Sequence, residues 1–219
     1  MDTKRLLYWM GGKLVKAYSK MMLKMDVISH SPIPKGVKII VANHPTTSDP
    51  FILTSVSNGQ AAVLIKDVLF DVPVFGRYLH WAGHIPVRKN EGKIAFDRAL
   101  KLLNKGVTII VFIEGNVSEY IHKMGKPKTG AIRLALSSGF PIIPIGIGVK
   151  KENLRNLKSM IKGVQEWGRW YFRGPYALTV GKQINFTGKV SNKSHVTSLS
   201  KWLAEKIGTL QKESAKRIR

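Results

Sequence analysis

The sequence predicts a single α/β domain: a mixed, largely parallel sheet flanked by helices, preceded by an N-terminal amphipathic helix. Three observations predict it. From Ser31 onward, short apolar runs alternate with helix-like segments. One of these runs, residues 107–112, is apolar at almost every position, as a strand covered on both faces must be. And 219 residues fill one substantial core but are few for two.

In chain order, residues 3–25 repeat Leu7, Met10, Leu14, Tyr18, Met21 and Met25 at helical spacing, with Leu6, Trp9, Val15 and Met22 widening the stripe. Lys13, Lys16, Lys20 and Lys24 recur on another face. Two readings are open: a helix packed on the domain with a solvated basic side, or an interfacial helix with Tyr8 and Trp9 at headgroup depth. We therefore divide the chain into a membrane-associating helix, 1–28, and a catalytic domain, 29–219. Within the latter, residues 37–43, 61–65 and 84–87 read as strands, and 50–57 and 74–81 as helices. Residues 92–104 form an amphipathic helix with Ile94, Leu100 and Leu103 inward. After the central strand 107–112, a helix over 129–138 is ended by Gly139, and 141–149 is a buried strand. Residues 170–172, 177–180 and 183–186 read as edge strands or hairpins, and 194–219 as a basic closing helix.

Charge narrows the partners. Thirty-six Lys and Arg against thirteen Asp and Glu give +23, a self-repelling balance that suits an anionic surface: nucleic acid, an acidic carrier protein or an anionic bilayer. The absence of cysteine removes disulfides, thiolate nucleophiles and Cys-ligated metals. No segment reads as a signal peptide and no apolar run spans a bilayer, so membrane contact is expected to be peripheral.

In open α/β sheets, sites form beyond the carboxyl ends of strands. The strand ends here supply Asn43-His44-Pro45-Thr46-Thr47-Ser48-Asp49, then Arg88-Lys89, then Glu114-Gly115-Asn116-Val117-Ser118. In His44-x₄-Asp49, an imidazole takes a proton from an alcohol near neutral pH while a carboxylate on its other nitrogen fixes the tautomer. A bland reading stands beside it, with Ser48 or Asp49 as a helix N-cap ahead of Pro50. Glu114-Gly115 is a substrate site or a tight strand-to-helix turn, and Arg88-Lys89 a binding pair or solvated charge. There is no Gly-x-Ser-x-Gly elbow, His-Glu-x-x-His motif, phosphate-binding loop or Gly-x-Gly-x-x-Gly. Serine, metal and dinucleotide chemistry are thereby disfavoured.

These strand ends carry a resemblance. Asn43 to Asp49, Gly83 to Lys89, Phe112 to Ser118 and Phe140 to Ile145 stand in the order and spacing of the four blocks of the glycerolipid acyltransferases. That family is typified by bacterial 1-acyl-sn-glycerol-3-phosphate acyltransferase. The resemblance covers roughly residues 30–150 and includes Lys128-Thr129-Gly130 at the usual distance after block three. It implies an O-acyltransferase moving a fatty acyl group from acyl-CoA or acyl carrier protein to a lysophospholipid hydroxyl, in phospholipid biosynthesis. His44 is then the general base and Asp49 its orienter, with no covalent acyl-enzyme. Amides at the start of the following helix are candidates for the oxyanion. Arg88, Lys89, Glu114, Gly115, Asn116, Ser118, Lys128 and Gly130 form the substrate site. Thr129 reads equally as a helix cap. No metal or resident cofactor is implied, and the expected place is the cytoplasmic face of the cell membrane.

Two family arginines are absent: one falls on Lys89, the other on Val117. Either Arg88, Lys89, Lys126 or Lys128 serves as a diffuse cationic site, or the acceptor is another lipid, such as a lyso-ornithine lipid or a glycolipid. Outside the enzyme class, a catalytically idle lipid-binding scaffold would leave His44 and Asp49 unexplained. A basic nucleic-acid-binding protein, using Trp167, Trp170, Tyr171 and Phe172 with Arg169 and Arg173, would leave the four blocks unexplained. No nucleic acid is expected.

Overall fold

The computed structural model describes residues 3–121 and 123–218, with only the backbone course for residues 3–10. Tyr8 and Trp9, expected at headgroup depth, carry side chains outside the described part. The strands are β1 (Asp26–Ser29), β2 (Ile39–Ala42), β3 (Ala61–Lys66), β4 (Ile85–Val87), β5 (Thr108–Phe112), β6 (Ile142–Val149), β7 (Leu154–Ile161), β8 (Val164–Tyr171) and β9 (Tyr176–Val180). The α-helices are α1 (Thr3–Met21), α2 (Asp49–Thr54), α3 (Phe75–Trp81), α4 (Gly92–Asn104), α5 (Gly130–Ser138) and α6 (Lys193–Arg217).

Seven strands make one sheet in the order β1-β9-β6-β2-β5-β3-β4, while β7 and β8 pair only with each other. β2 lies parallel between β5 and β6, and β9 runs antiparallel to β6, so the sheet is mixed and largely parallel. The β-branched composition of β2, β5 and β6 follows from burial on both faces. Ile40, Ile110 and Ile145 pack on one face with Ile52 and Leu53 of α2 and Leu79 of α3. Ile39, Ile109 and Ile142 pack on the other with Ala99 of α4, Ile132 of α5 and Ile207 of α6.

The spacing Gly146-x-Gly148 has its explanation here. A Cβ on Gly146 would lie 2.1 Å from the Leu210 carbonyl carbon, and one on Gly148 2.8 Å from the Ala215 nitrogen. The glycines let the α6 backbone lie against β6.

Several elements differ from the sequence expectation. α1 ends at Met21 rather than residue 25, and within the described part of its apolar stripe Leu14 is 71% and Met21 75% exposed, while Met25 past the helix packs partly buried on the core. In α4 the inward face is Ala95, Ala99 and Leu103, while Ile94 is 49% exposed. Leu103 is inward as expected and Leu100 packs partly buried against the same cluster, so only Ile94 departs from the expected face. Residues 170 and 171 end an eight-residue strand, with Phe172 just past it, and the rest of that hairpin was not announced by the pattern. β7 is mostly exposed and β8 largely half-buried, and neither alternates apolar with polar. Their turn has Lys162 at φ 48° and Gly163 at φ 77°, left-handed at both central positions, as a two-residue hairpin turn requires. Residues 183–186 form no strand, only a bridge from Ile184 to Ile142. β1 was also unannounced.

Candidate active site

β2 delivers His44 to the carboxyl edge of the sheet. The fully buried Asn43 closes the strand: its amide donates to Ile147 O (3.0 Å) and accepts from Ile147 N–H (2.7 Å). One side chain thus continues the β2–β6 ladder and fixes where the chain leaves the sheet. His44 stacks on Phe112 at the end of β5, with ring centroids 3.8 Å apart and planes 14° from parallel.

His44 Nδ1 lies 2.9 Å from Asp49 Oδ2. Asp49, fully buried as the first residue of α2, also accepts from Thr46 N (2.7 Å), Thr46 Oγ1 (2.5 Å) and the Tyr176 hydroxyl (2.8 Å). A buried carboxylate ringed by donors is an acceptor, so Nδ1 carries the imidazole proton. Nε2 then presents a lone pair, the state a general base needs. Burial, and next the charge of Asp49, push the Tyr176 hydroxyl well above its ordinary pKa, which keeps it a donor. Ser48 precedes the helix but makes no side-chain cap bond; its Oγ accepts from Tyr171 N–H at 3.1 Å.

The loop after β5 is laced to the His44 turn. Glu114 accepts from Ser118 Oγ (2.6 Å), Gly125 N–H (2.7 Å) and His44 N–H (3.3 Å), and Ser118 N–H donates to His44 O (2.7 Å). Gly115 takes φ 75°, and a Cβ there would crowd Lys128 Cγ at 3.2 Å. The β7–β8 hairpin roofs this edge. The Arg169 guanidinium donates to Ser118 O (2.8 Å) and Glu119 O (3.1 Å), while its carbonyl accepts from Thr47 N–H (2.6 Å). Lys66–Glu166 and Lys162–Asp71, each 2.6 Å, tie the hairpin to the end of β3 and the turn after it.

Between sheet edge and hairpin lies a cavity of about 490 Å³ that opens on His44. Leu64, Val68, Leu69, Val111, Val117 and Trp170 give it an apolar wall, with Asn116 and the Lys66–Glu166 pair as polar points. Its size suits a ligand of ordinary dimensions.

With that geometry in view, comparison with known proteins is decisive for the family. The model of the family described as "Acyltransferase" matches residues 24–148. The chain belongs to this acyltransferase family. It is 28% identical over 127 residues to the 1-acyl-sn-glycerol-3-phosphate acyltransferase of Pseudomonas aeruginosa, covering 56% of this chain and 49% of that protein. It is 32% identical over 111 residues to the chloroplastic 1-acyl-sn-glycerol-3-phosphate acyltransferase BAT2 of Brassica napus, covering 49% of this chain and 31% of that one. The chain thus spans half or less of these relatives' lengths. The crystal structure of the 1-acyl-sn-glycerophosphate (LPA) acyltransferase PlsC from Thermotoga maritima superposes with a TM-score of 0.70 at 23% identity, over 97% of this chain and 83% of that one. The fold is therefore shared.

Within this acyltransferase domain, Gly115 and Asn116 line the cavity together with His44. Glu114 and Ser118 turn into the loop instead. Arg88 is 64% exposed, 3.9 Å from Asp67 and 3.7 Å from Glu91, and Lys89 is exposed beside it. Lys128 reaches Ile113 O through its backbone and packs its stem by Gly115, while Gly130 opens α5. Arg88, Lys89, Lys128 and Gly130 all lie outside the cavity lining. Thr129 makes no side-chain cap bond. The helix-start amides proposed for an oxyanion are also engaged: Thr46 N–H on Asp49, Thr47 N–H on Arg169 O, and Asp49 N–H on Thr46 O.

Sequence reasoning missed the ladder role of Asn43 and the contributions of Thr46, Tyr176 and Arg169. An Asn directly after an apolar strand was a usable signal for the first. Tyr176, 127 residues from its partner, had none.

Proposed function

We propose that this chain transfers a fatty acyl group from a thioester, acyl-CoA or acyl carrier protein, to the hydroxyl of a lysolipid, as an O-acyltransferase of phospholipid synthesis. The observation that carries it is the His44–Asp49 pair, 2.9 Å apart, opening on an apolar cavity of about 490 Å³. The relatives' names point to 1-acyl-glycerol-3-phosphate as acceptor. The exposed Arg88 and Lys89 and the apolar Val117 keep a different lysolipid headgroup in the test.

In the proposed step, His44 Nε2 takes the proton from the acceptor hydroxyl, and Asp49 stabilises the imidazolium. The oxygen attacks the thioester carbonyl, the new C–O bond forms, and the C–S bond breaks. The leaving thiolate takes the proton from the His44 imidazolium and departs as the free thiol, which restores the neutral base. In this reading the apolar wall takes hydrocarbon, and Asn116 in the lining offers a polar contact to the acceptor.

A lysolipid resides in a bilayer, and several features support peripheral work at its cytoplasmic surface. The net charge of +23 complements anionic lipid and an acidic carrier. Leu14, Met21 and Met22 of the N-terminal region are exposed, as an interfacial helix needs. No helix among the described residues is long and apolar enough to cross a membrane.

The test is transfer of a labelled acyl group from both donors to a panel of lysolipids, comparing wild type with His44→Ala. We expect product in the wild type and a loss of about 10³-fold or more in the variant. Retained transfer by a folded His44→Ala protein overturns the mechanism, and no product on any acceptor overturns the activity.

A further inference from the structure

We propose that the β7–β8 hairpin is a bilayer-contacting element that seats the mouth of the His44 cavity on an anionic membrane. The inference rests on the membrane reading above, but not on acyl transfer.

The register gives the hairpin two unlike faces. Residues directly opposite across an antiparallel pair share a face. Ser159↔Glu166 and Leu157↔Gly168 lie on the side that roofs the cavity, where Ser159, Ile161, Glu166, Gly168 and Trp170 line it. Lys158↔Trp167 and Met160↔Gln165 lie on the outer side. There Met160 is 67% and Trp167 62% exposed, the indole also reaching the cavity rim, while Val164, opposite Ile161 on the other face beside the turn, is 55% exposed. A thioether, an indole and a branched aliphatic group held in water at the tip of a two-stranded ribbon make an exposed apolar surface.

Charge says what covers it. On the hairpin Lys162 is paired with Asp71, Glu166 with Lys66, and Arg169 holds the loop carbonyls, which leaves Arg155 and Lys158 as outward cations on a chain of net charge +23. Lys158 Nζ lies 4.5 Å from the centre of the Trp167 ring, so a cation caps the aromatic that borders the cavity. An exposed apolar tip with a lysine over an amphipathic indole, on a strongly basic chain, is the composition that lies at an anionic lipid headgroup boundary. It does not suit nucleic acid. Trp170 stacks on Phe172 at 5.8 Å and 3° between planes and faces the cavity, so it is not a free platform for a base.

The surface is also continuous with the N-terminal helix. The Tyr18 hydroxyl of α1 donates to the Phe172 carbonyl just past β8, and Gly174 N–H donates to Met22 O at 3.0 Å. Phe172 and Met22, 44% and 45% exposed, therefore stand beside each other, bridging the exposed face of α1 to the hairpin. An acceptor leaving a bilayer held by both elements meets the cavity mouth directly.

The experiment is co-flotation of the whole chain with vesicles of phosphatidylcholine mixed with phosphatidylglycerol, and with phosphatidylcholine alone. Wild type is compared with Met160→Glu/Val164→Glu, two positions outside the cavity lining, and with Leu14→Glu/Met21→Glu on α1. We expect the hairpin variant to lose about tenfold or more of its binding to the anionic vesicles. Its transfer to detergent-dispersed lysolipid should equal the wild type's. Brominated acyl chains should quench wild-type tryptophan fluorescence more than that of Trp167→Phe. Undiminished vesicle binding by a folded hairpin variant overturns the proposal, and if the α1 variant alone loses binding, the membrane reading stands without the hairpin. Wild type that floats with neither vesicle overturns both. Hairpin-dependent binding by a protein inactive on every lysolipid supports the hairpin while the activity falls.

Discussion

The hydroxyl of Tyr176 lies 2.8 Å from Oδ1 of Asp49, so the start of β9 steadies the carboxylate that orients His44. Thr46 and Tyr176 together satisfy the carboxylate oxygens that His44 does not occupy alone, which leaves the pair one geometry. The edge of the sheet thereby acts as a rigid mount, with donors supplied from both sides of the turn.

Removing the Tyr176 hydroxyl tests that mount. Tyr176→Phe keeps the buried ring and deletes one donor to a charged group, which costs about 1.5–3 kcal/mol in stability. If the hydroxyl also holds Asp49 in register with His44, turnover falls about tenfold while the KM for acceptor stays put. Thermal melts and steady-state transfer assays read the two effects separately. A variant that melts lower but turns over at the wild-type rate confines Tyr176 to the fold.

Asn43 carries a different kind of load. Asn43→Ala leaves the N–H and C=O of Ile147 buried without their partners, at about 1–3 kcal/mol each. We expect a denaturant midpoint lower by the equivalent of about 2–5 kcal/mol. Asn43→Asp keeps an acceptor for the Ile147 amide but loses the donor, so it should fall in between or lower.

The contrast between what was and was not legible in the sequence follows from distance along the chain. His44 and Asp49 sit in one short turn, so strand-end position and spacing sufficed to place them together. β2, β5 and β6 are buried on both faces, and continuous apolar runs announce that. The β7–β8 hairpin buries little and reads as loop, although Gly163 marks its turn. Tyr176 and Arg169 act across long stretches of chain, and only the folded topology brings them to the site. Glu114 was legible as a strand-end residue but not as a buckle, because its three donors come from His44, Ser118 and Gly125.

His84 gives the protein a pH-dependent weakness away from the site. Its Nδ1 accepts from Val63 N–H at 3.2 Å, its ring lies beside Tyr78, and burial lowers its pKa from 6.5 to about 4. The unfolded chain takes up this proton as pH falls through 6.5, while the folded protein resists until about 4. The contribution is therefore fully present above 6.5 and is lost progressively toward 4, by up to about 3 kcal/mol. His84→Asn keeps an acceptor for Val63 and cannot titrate. Urea unfolding of both proteins from neutral to acid pH should show the wild type losing more stability, with the difference confined to that window. Parallel pH curves would remove His84 as the cause.

Glycine at the β6–α6 contact makes the last prediction a paired one. A Cβ at Gly146 meets only unyielding atoms: the Leu210 carbonyl carbon at 2.1 Å and the Gln211 nitrogen at 2.2 Å, both backbone. Gly146→Ala must lift α6 from the sheet, which unpacks Leu210 and disturbs the Ser214 hydroxyl bond to Gly146 O at 2.9 Å. Overpacking against a fixed backbone costs about 3 kcal/mol or more. Gly208, in the same helix, has nothing within 4 Å of an added Cβ. Gly208→Ala therefore gains helix propensity without a clash and should stabilise the protein by about 0.5–1 kcal/mol. Chemical unfolding of the two variants should move the midpoint in opposite directions. If both substitutions destabilise, α6 is intolerant of change for a reason other than its approach to β6, and the Gly146-x-Gly148 spacing loses its explanation.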